Sequence, residues 1–127
     1  MKCRLSSLMM VVSVVLLTLS PLAHGAPPPN PTPSDGNGNT VGGSNVLLTN
    51  TGSYNTAFGN YALSLNTTSF NNTSTGALTL FYNTTGFYDT ASGAYVLLHN
   101  TTGSYNLAGG YQALLSNTMG NYNTALG

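Results

Sequence analysis

A seventeen-residue period runs through this chain from residue 38 to residue 127. A strict period of this length indicates one structural unit stacked on copies of itself, each in contact only with its neighbours. The residues that mark the period most clearly are Gly42, Gly59, Gly76, Gly93, Gly110 and Gly127. The period predicts a solenoid or a fibre, and it argues against an enzyme.

Other residue types keep the same phase as these glycines. One polar column consists of Asn55, Asn72, Asp89, Asn106 and Asn123. A second polar column, in which Thr follows each member, consists of Asn66, Asn83, Asn100 and Asn117. An aliphatic column consists of Val46, Leu63, Leu80, Leu97 and Leu114. In this phase the first copy, residues 38–54, is degenerate, because Gly38 and Thr49 stand where the other copies have Asn.

The composition of the repeat favours strands and turns over helices. Gly, Asn and Thr are poor residues for a helix interior and good residues for turns. Residues 54–59 alternate in the manner of a strand, and a second run at 61–65 ends at Asn66. The sequence therefore predicts an all-β parallel β-solenoid, or β-roll, of about five coils, with two short strands per coil. Asn over Asn would form amide ladders, and Leu over Leu would form a thin core.

The first 25 residues have the features of a secretory signal peptide. Lys2 and Arg4 precede an apolar stretch that is too short for a transmembrane span, and small residues precede Ala26, where we expect cleavage. Residues 26–39 are rich in Pro, Asn and Gly and indicate a linker, which leaves residues 40–127 as the repeat domain. The expected location is secreted, either extracellular or at the cell surface. Cys3, the only cysteine, lies in the cleaved segment.

The mature chain is almost free of charge. Residues 26–127 contain no Lys and no Arg, and their only carboxylate side chains are Asp35 and Asp89. Phosphates and anionic lipid surfaces are bound by cations, so nucleic-acid binding and membrane-surface binding are excluded. Charges also keep sheet edges apart, and their absence, together with few apolar side chains per coil, favours self-association.

The chain offers no set of residues for catalysis or for holding a metal or a cofactor. Asp35 lies in the linker, and Asp89 replaces Asn in a turn column. His99 has no Cys or acidic neighbour in sequence, and the Ser and Thr hydroxyls have no base to activate them. We therefore expect no catalytic residue, no metal site and no cofactor.

Two other columns could contact a ligand. The aromatic column consists of Tyr54, Tyr88, Tyr105 and Tyr122. Its rings could stack on sugars or grip a surface, or they could pack on one another across coils. Thr67 and Thr68 and their equivalents are either turn residues or a flat hydroxyl array that could bind ice.

The repeat also creates sequons for asparagine-linked glycosylation. They begin at Asn66, Asn71, Asn72, Asn83 and Asn100. If the source glycosylates asparagine, glycans could cover the surface of the solenoid. The alternative is that the Asn-Thr-Thr turn produces sequons by chance.

The segments 55–59, 72–76 and 123–127 resemble the N-x-A-hydrophobic-G repeats of YadA-like trimeric autotransporter adhesin heads. Residues 110–127 are similar to the seventeen-residue repeats of such bacterial surface proteins and of some phage tail fibres. The resemblance covers residues 38–127 and implies a left-handed β-roll, three chains about a fibre axis, and adhesion to host or matrix surfaces. Two features depart from the family: a stalk and a membrane anchor are missing, and Thr75, Ser92 and Gly109 occupy a column that is often aliphatic.

These observations predict a secreted structural protein that assembles with itself, as a trimer or an end-to-end filament, into an extracellular fibre or adhesive surface. One alternative is a module that binds host or matrix glycans, or ice, through the Tyr or Thr columns. The other is a fragment of a larger trimeric adhesin.

Overall fold

The computed structural model describes residues 36–127, and these form a parallel β-solenoid. Six three-residue strands lie side by side in chain order, all parallel. They are β1 (Thr40–Gly42), β2 (Thr56–Phe58), β3 (Thr73–Thr75), β4 (Thr90–Ser92), β5 (Leu107–Gly109) and β6 (Thr124–Leu126). The predicted all-β solenoid of about five coils is confirmed. The predicted signal peptide, Asp35 and most of the predicted linker lie outside the described residues.

In β2 to β5 the small middle residue is buried, and the residues on either side of it are partly or fully exposed. In β2, Ala57 is fully buried while Thr56 and Phe58 are partly exposed. The strands pair in register, so that Ser74 lies beside Ala57 on one side and beside Ala91 on the other. This alternation follows from the pleat of a strand. Among residues 36–127 no helix has the length and apolarity needed to cross a membrane.

Each coil contains one strand, so the prediction of two strands per coil is wrong. The run at 61–65 is a turn, because Tyr61 and Leu63 have φ values of 57° and 48°, in the left-handed region. The turn still joins the coils. The Tyr61 N–H donates to the Ser44 carbonyl at 2.9 Å, and the Leu63 N–H donates to the Thr79 carbonyl at 3.0 Å. Bonding between coils therefore continues where the backbone is no longer extended.

Left-handed backbone is a regular part of the coil. Residues other than glycine with positive φ recur at three positions per coil, represented in one coil by Tyr61, Leu63 and Asn71. Each costs roughly 1–2 kcal/mol relative to ordinary backbone. The same three positions carry the predicted aliphatic column, the predicted tyrosine column, and a third column that sequence patterns did not single out.

The first coil is one residue shorter than the others. Thr40 pairs with Thr56, sixteen residues on, whereas Thr56 pairs with Thr73, seventeen residues on. Gly42 therefore pairs with Phe58, and the glycine column begins at Gly43, with φ of 122°. The prediction that Gly42 belongs to the glycine column is wrong by one residue.

The shortened coil also corrects the other assignments in the first copy. Asn39, Leu47 and Asn50 occupy the columns that the strict period gave to Gly38, Val46 and Thr49. The missing residue is a threonine. In the first coil the turn Asn50-Thr51-Gly52 lies beside Asn66-Thr67-Thr68-Ser69 of the next coil, which has one more threonine. The first copy is thus a regular coil with a one-residue deletion in its turn. The repeat also begins one residue before the predicted boundary at residue 40.

The core is a narrow row of leucines flanked by small side chains. Leu63, Leu80 and Leu97 are fully buried, and Leu114 is partly buried beside them. The small residues packed around the leucines include Ala62, Val96 and Ala113. The remaining buried side chains are mostly polar, and their hydrogen bonds, most of them to the backbone, hold much of the fold.

Candidate functional site: the polar ladders and the aromatic face

Catalytic groups do not converge in the part of the chain that the structure describes. Residues 36–127 contain no group of three or more His, Cys, Asp or Glu side chains that could hold a metal ion. His99 is exposed and lies flat against the Tyr82 ring, with centroids 5.5 Å apart and planes 14° apart. The repeated polar and aromatic columns are therefore the candidates for function.

One polar column forms a buried ladder that links every coil to the next. We call it the Asx ladder; its members are Asn39, Asn55, Asn72, Asp89, Asn106 and Asn123. Each Oδ1 accepts the backbone N–H of the next member, as Asn55 Oδ1 does from Asn72 at 3.0 Å. The Asn72 Nδ2 also donates to the Gly86 carbonyl at 2.9 Å. Asparagine suits this position because its amide supplies an acceptor and a donor together.

Asp89 is the one acid in the Asx ladder. Its Oδ1 accepts the Asn106 backbone N–H at 2.8 Å and the Asn106 Nδ2 at 3.0 Å, and its Oδ2 accepts the Asn100 Nδ2 at 3.1 Å. The side chain is fully buried, and residues 36–127 contain no Lys or Arg. Burial raises the pKa of Asp89 from 3.8 to about 6, although the hydrogen bonds from Asn106 and Asn100 oppose that rise.

The second polar column forms a ladder in the turn. The turn ladder consists of Asn50, Asn66, Asn83, Asn100 and Asn117. The Asn117 Nδ2 donates to the Asn100 Oδ1 at 2.9 Å and to the Gly120 carbonyl at 3.1 Å. A Cβ at Gly103 would overlap the Asn100 side chain, and Gly86 and Gly120 meet the same overlap with Asn83 and Asn117, which explains the glycine at this position in the later coils.

Burial of these ladders bears on the glycosylation sequons. Of the five sequon residues, Asn66, Asn72, Asn83 and Asn100 are buried and hydrogen-bonded, and only Asn71 is partly exposed. A glycan on a buried amide would replace a ladder hydrogen bond and would not fit between coils. We therefore do not expect folded protein to carry glycans at these four positions.

In a host that glycosylates asparagine, we expect the folded, secreted protein to carry glycan on Asn71 alone. Intact-mass analysis before and after enzymatic deglycosylation would test this. Asn71→Gln should abolish the mass difference, because Asn71 is the one sequon residue that solvent reaches. A glycan mapped to Asn83 or Asn100 in folded protein would contradict the prediction.

The first threonine of each turn uses its hydroxyl to join coils. Thr67 Oγ1 donates to the Thr84 carbonyl at 2.9 Å, and Thr84 Oγ1 donates to the Thr101 carbonyl at 3.0 Å. These hydroxyls are donors to backbone and do not form a free array. A second threonine column lies on the outer strand face, at Thr40, Thr56, Thr73, Thr90 and Thr124, and Leu107 interrupts it.

Three of the four predicted tyrosines form a continuous stack. Tyr88 and Tyr105 lie 5.2 Å apart with planes 21° apart, and Tyr105 and Tyr122 lie 4.8 Å apart with planes 5° apart. We call these three residues the Tyr stack. Tyr54 occupies the same column but is separated from the stack by Asn71. Because the rings cover one another's faces, the faces inside the stack are not open to a sugar, which matches cross-coil packing.

A phenylalanine pair widens this aromatic face. Phe70 and Phe87 stack with centroids 5.0 Å apart and planes 4° apart, and Phe87 meets the edge of Tyr105 at 5.4 Å. The sequence patterns did not single out these two residues, although they stand seventeen apart. Their column is otherwise polar, which hid the signal.

Comparison with protein-family models, with curated proteins and with solved structures gives no match to this chain. The resemblance to YadA-like heads therefore continues to depend on the repeat motif alone. The structure supports the parallel solenoid that the motif implies.

Proposed function

We propose that this chain is a secreted structural protein that associates with copies of itself to form an extracellular fibre or an adhesive surface layer. The observation that carries the proposal is a regular, in-register stack of coils whose surface is uncharged. Asp89 is the only acidic side chain of residues 36–127 and is buried, and His99 is their only histidine. Neither can provide the repulsion that keeps soluble proteins apart.

The coil-to-coil contact supports the same proposal. Each coil bonds to the next through the same backbone groups and the same Asx ladder position, as Asn72 and Asn106 illustrate. The two sides of a coil are therefore complementary to each other. A contact of this head-to-tail kind extends into a filament when it forms between chains. Exposed rings such as Tyr111 and Tyr122 add apolar surface that could bind a neighbouring stack side by side.

The proposal predicts concentration-dependent assembly of the mature protein. Sedimentation analysis over a dilution series, with negative-stain electron microscopy of the same samples, should reveal filaments or discrete oligomers. A trimer would agree with the arrangement that the YadA-like resemblance implies, including the case of a piece of a larger adhesin. A dispersed monomer at every concentration would contradict the proposal.

Glycan binding is the second candidate, and the exposed Tyr54 favours it. Tyr54 is 69% exposed and lies outside the Tyr stack, so no tyrosine ring covers its face, although Gly38 lies close to one edge of the ring. A glycan array probed with the mature protein and with Tyr54→Ala would test it. Binding that the substitution abolishes would support a glycan site, and a blank array would leave the structural role.

A further inference from the structure

The Tyr stack combines close ring contact with access to solvent. As whole residues, Tyr88, Tyr105 and Tyr122 are 48%, 42% and 76% exposed. Neighbouring rings are stacked, with centroids 5.2 Å apart for Tyr88 and Tyr105 and 4.8 Å apart for Tyr105 and Tyr122. Stacking covers the ring faces that lie between neighbouring tyrosines, and it leaves uncovered the ring edges, which carry the phenol oxygen and the ortho carbons.

The composition leaves tyrosine as the side chain through which this solenoid could be cross-linked. Residues 26–127 contain no Cys and no Lys, which excludes disulfides and lysine-derived cross-links there. All eight tyrosines lie between residues 54 and 122. A solenoid with a thin apolar core would gain stability from covalent links between coils, because a link restricts the unfolded chain.

We propose that the Tyr stack is a site of oxidative modification, at which neighbouring tyrosines are coupled to dityrosine by a one-electron oxidant such as a haem peroxidase with hydrogen peroxide. Each of two phenols loses one electron and one proton and becomes a tyrosyl radical. The two radicals form a carbon–carbon bond between ortho positions, and the two hydrogens on those carbons move to the phenol oxygens. One hydrogen peroxide is reduced to two waters, and the protein loses two hydrogen atoms.

The position of Tyr105 makes it central to this reaction. It has a tyrosine neighbour on both sides, so a radical on any member of the stack has a partner at contact distance without diffusion of a second chain. Tyr122 is the most exposed of the three, so it is the member that an oxidant in solution reaches most easily. The Tyr95 and Tyr111 rings also touch, but edge to face, with planes 82° apart and centroids at 5.9 Å.

The test treats the full mature chain, diluted, with a haem peroxidase and hydrogen peroxide. Dityrosine fluorescence reports coupling, and mass spectrometry of pepsin-derived peptides locates it. The expected product is a cross-linked peptide joining Tyr105 to Tyr122 or to Tyr88, with a mass lower by two hydrogen atoms. It should form at the same yield per chain on dilution, because the coupled residues belong to one molecule.

Two matched variants decide the outcome. Tyr105→Phe keeps an aromatic ring in the stack but separates the remaining two tyrosines, so the within-stack cross-link should be lost. Tyr54→Phe makes the same change in the same column, at a ring outside the stack, and should retain the cross-link at the original yield. Three outcomes would overturn the proposal. The yield of dityrosine could be unchanged in Tyr105→Phe, it could fall equally in Tyr54→Phe, or the coupling could disappear on dilution. Because the coupling is within one chain, the result is readable even if the protein does not assemble.

Discussion

Replacing Asp89 by Asn is expected to stabilise the solenoid at pH 7 by about 3 kcal/mol, the free energy that corresponds to a shift of roughly two pKa units. The reason is that Asp89 is buried in the Asx ladder without a cationic partner, and burial raises its pKa to about 6. An asparagine would also restore the Nδ2 donor that Asn72 directs at a carbonyl in the neighbouring turn. It would remove the Oδ2 acceptor of the Asn100 Nδ2, which keeps its bond to the Gly103 carbonyl.

The pH dependence has a definite sign. The unfolded chain ionises Asp89 near 3.8, whereas the folded chain ionises it near 6, so the folded state binds the proton more tightly. The free energy of unfolding should therefore fall as pH rises from 3.8 to about 6 and stay low above that range. Below 3.8 the carboxyl is neutral in both states, and the penalty is absent.

Denaturant unfolding of the native protein and of Asp89→Asn, from acidic to neutral pH, measures this effect. Both proteins retain His99, so the difference between the two curves isolates Asp89. Asn72→Asp is the matched reverse change, because it puts a carboxyl one coil away in the same ladder. Asn72→Asp should lower the free energy of unfolding relative to the native protein at neutral pH, and the difference should be smaller at acidic pH. Parallel curves for the native protein and Asp89→Asn would show that the carboxyl is not the source of the pH dependence.

Gly76→Ala is expected to lower the free energy of unfolding by about 3 kcal/mol or more, which is a size typical of steric overlap and backbone strain. Gly76 has φ of 132°, a conformation that strains any L-residue, and a Cβ there would overlap the carbonyl of Gly93 in the next coil. That neighbour is backbone and cannot rotate away. Relief would require the two coils to separate, which breaks the hydrogen bonds between them.

Substitutions at two other glycines allow the effect of backbone strain to be measured apart from the effect of steric overlap. Gly127 has φ of 142° with no atom within 4 Å of its ideal Cβ, so Gly127→Ala measures backbone strain alone. Gly36 has neither a close neighbour nor a strained φ, so Gly36→Ala should be almost neutral. The chemical denaturation midpoint of each variant gives the comparison. If Gly76→Ala cost no more than Gly127→Ala, overlap between coils would not be the reason for the glycine column.

The sequence was sufficient to predict the stacked architecture, because periodicity in residue type maps directly onto contact between equivalent residues. It was not sufficient to predict the backbone of the coil. Tyr61 and Leu63 alternate with other side chains as in a strand, and nothing in a Tyr or a Leu signals a left-handed φ. That conformation is stabilised by bonds to the coils on either side, such as the Leu63 N–H to the Thr79 carbonyl, which no local pattern reveals.

The register of the first coil was hidden by a coincidence of residue type. Gly42 and Gly43 are adjacent, so the glycine column could begin at either, and the seventeen-residue spacing favoured the wrong one. The Asn39 and Asn50 side chains decide the matter, because their oxygens accept from Asn55 and Asn66 sixteen residues on. Allowing one deletion would have revealed both asparagines in sequence.

The candidate sites were predictable as columns but not as environments. The period placed Tyr88, Tyr105 and Tyr122 in one row, yet whether their rings stack or stand free depends on side-chain angles. Likewise the sequons are visible in sequence, but the burial of Asn83 and Asn100 follows from their role as links between coils. A sequence motif shows which residue types are present, whereas packing between neighbouring coils determines which side chains are exposed to solvent.

The recurrent left-handed residues have a consequence for how the chain folds. A single coil holds three such residues, as at Tyr61, Leu63 and Asn71, and each is unfavourable until another coil lies against it. A lone coil therefore has no reason to persist in solution. The slow step of folding should be the meeting of two coils, after which each further coil adds to an existing template. A one-coil peptide is then expected to be unstructured, and refolding to proceed by nucleation and growth.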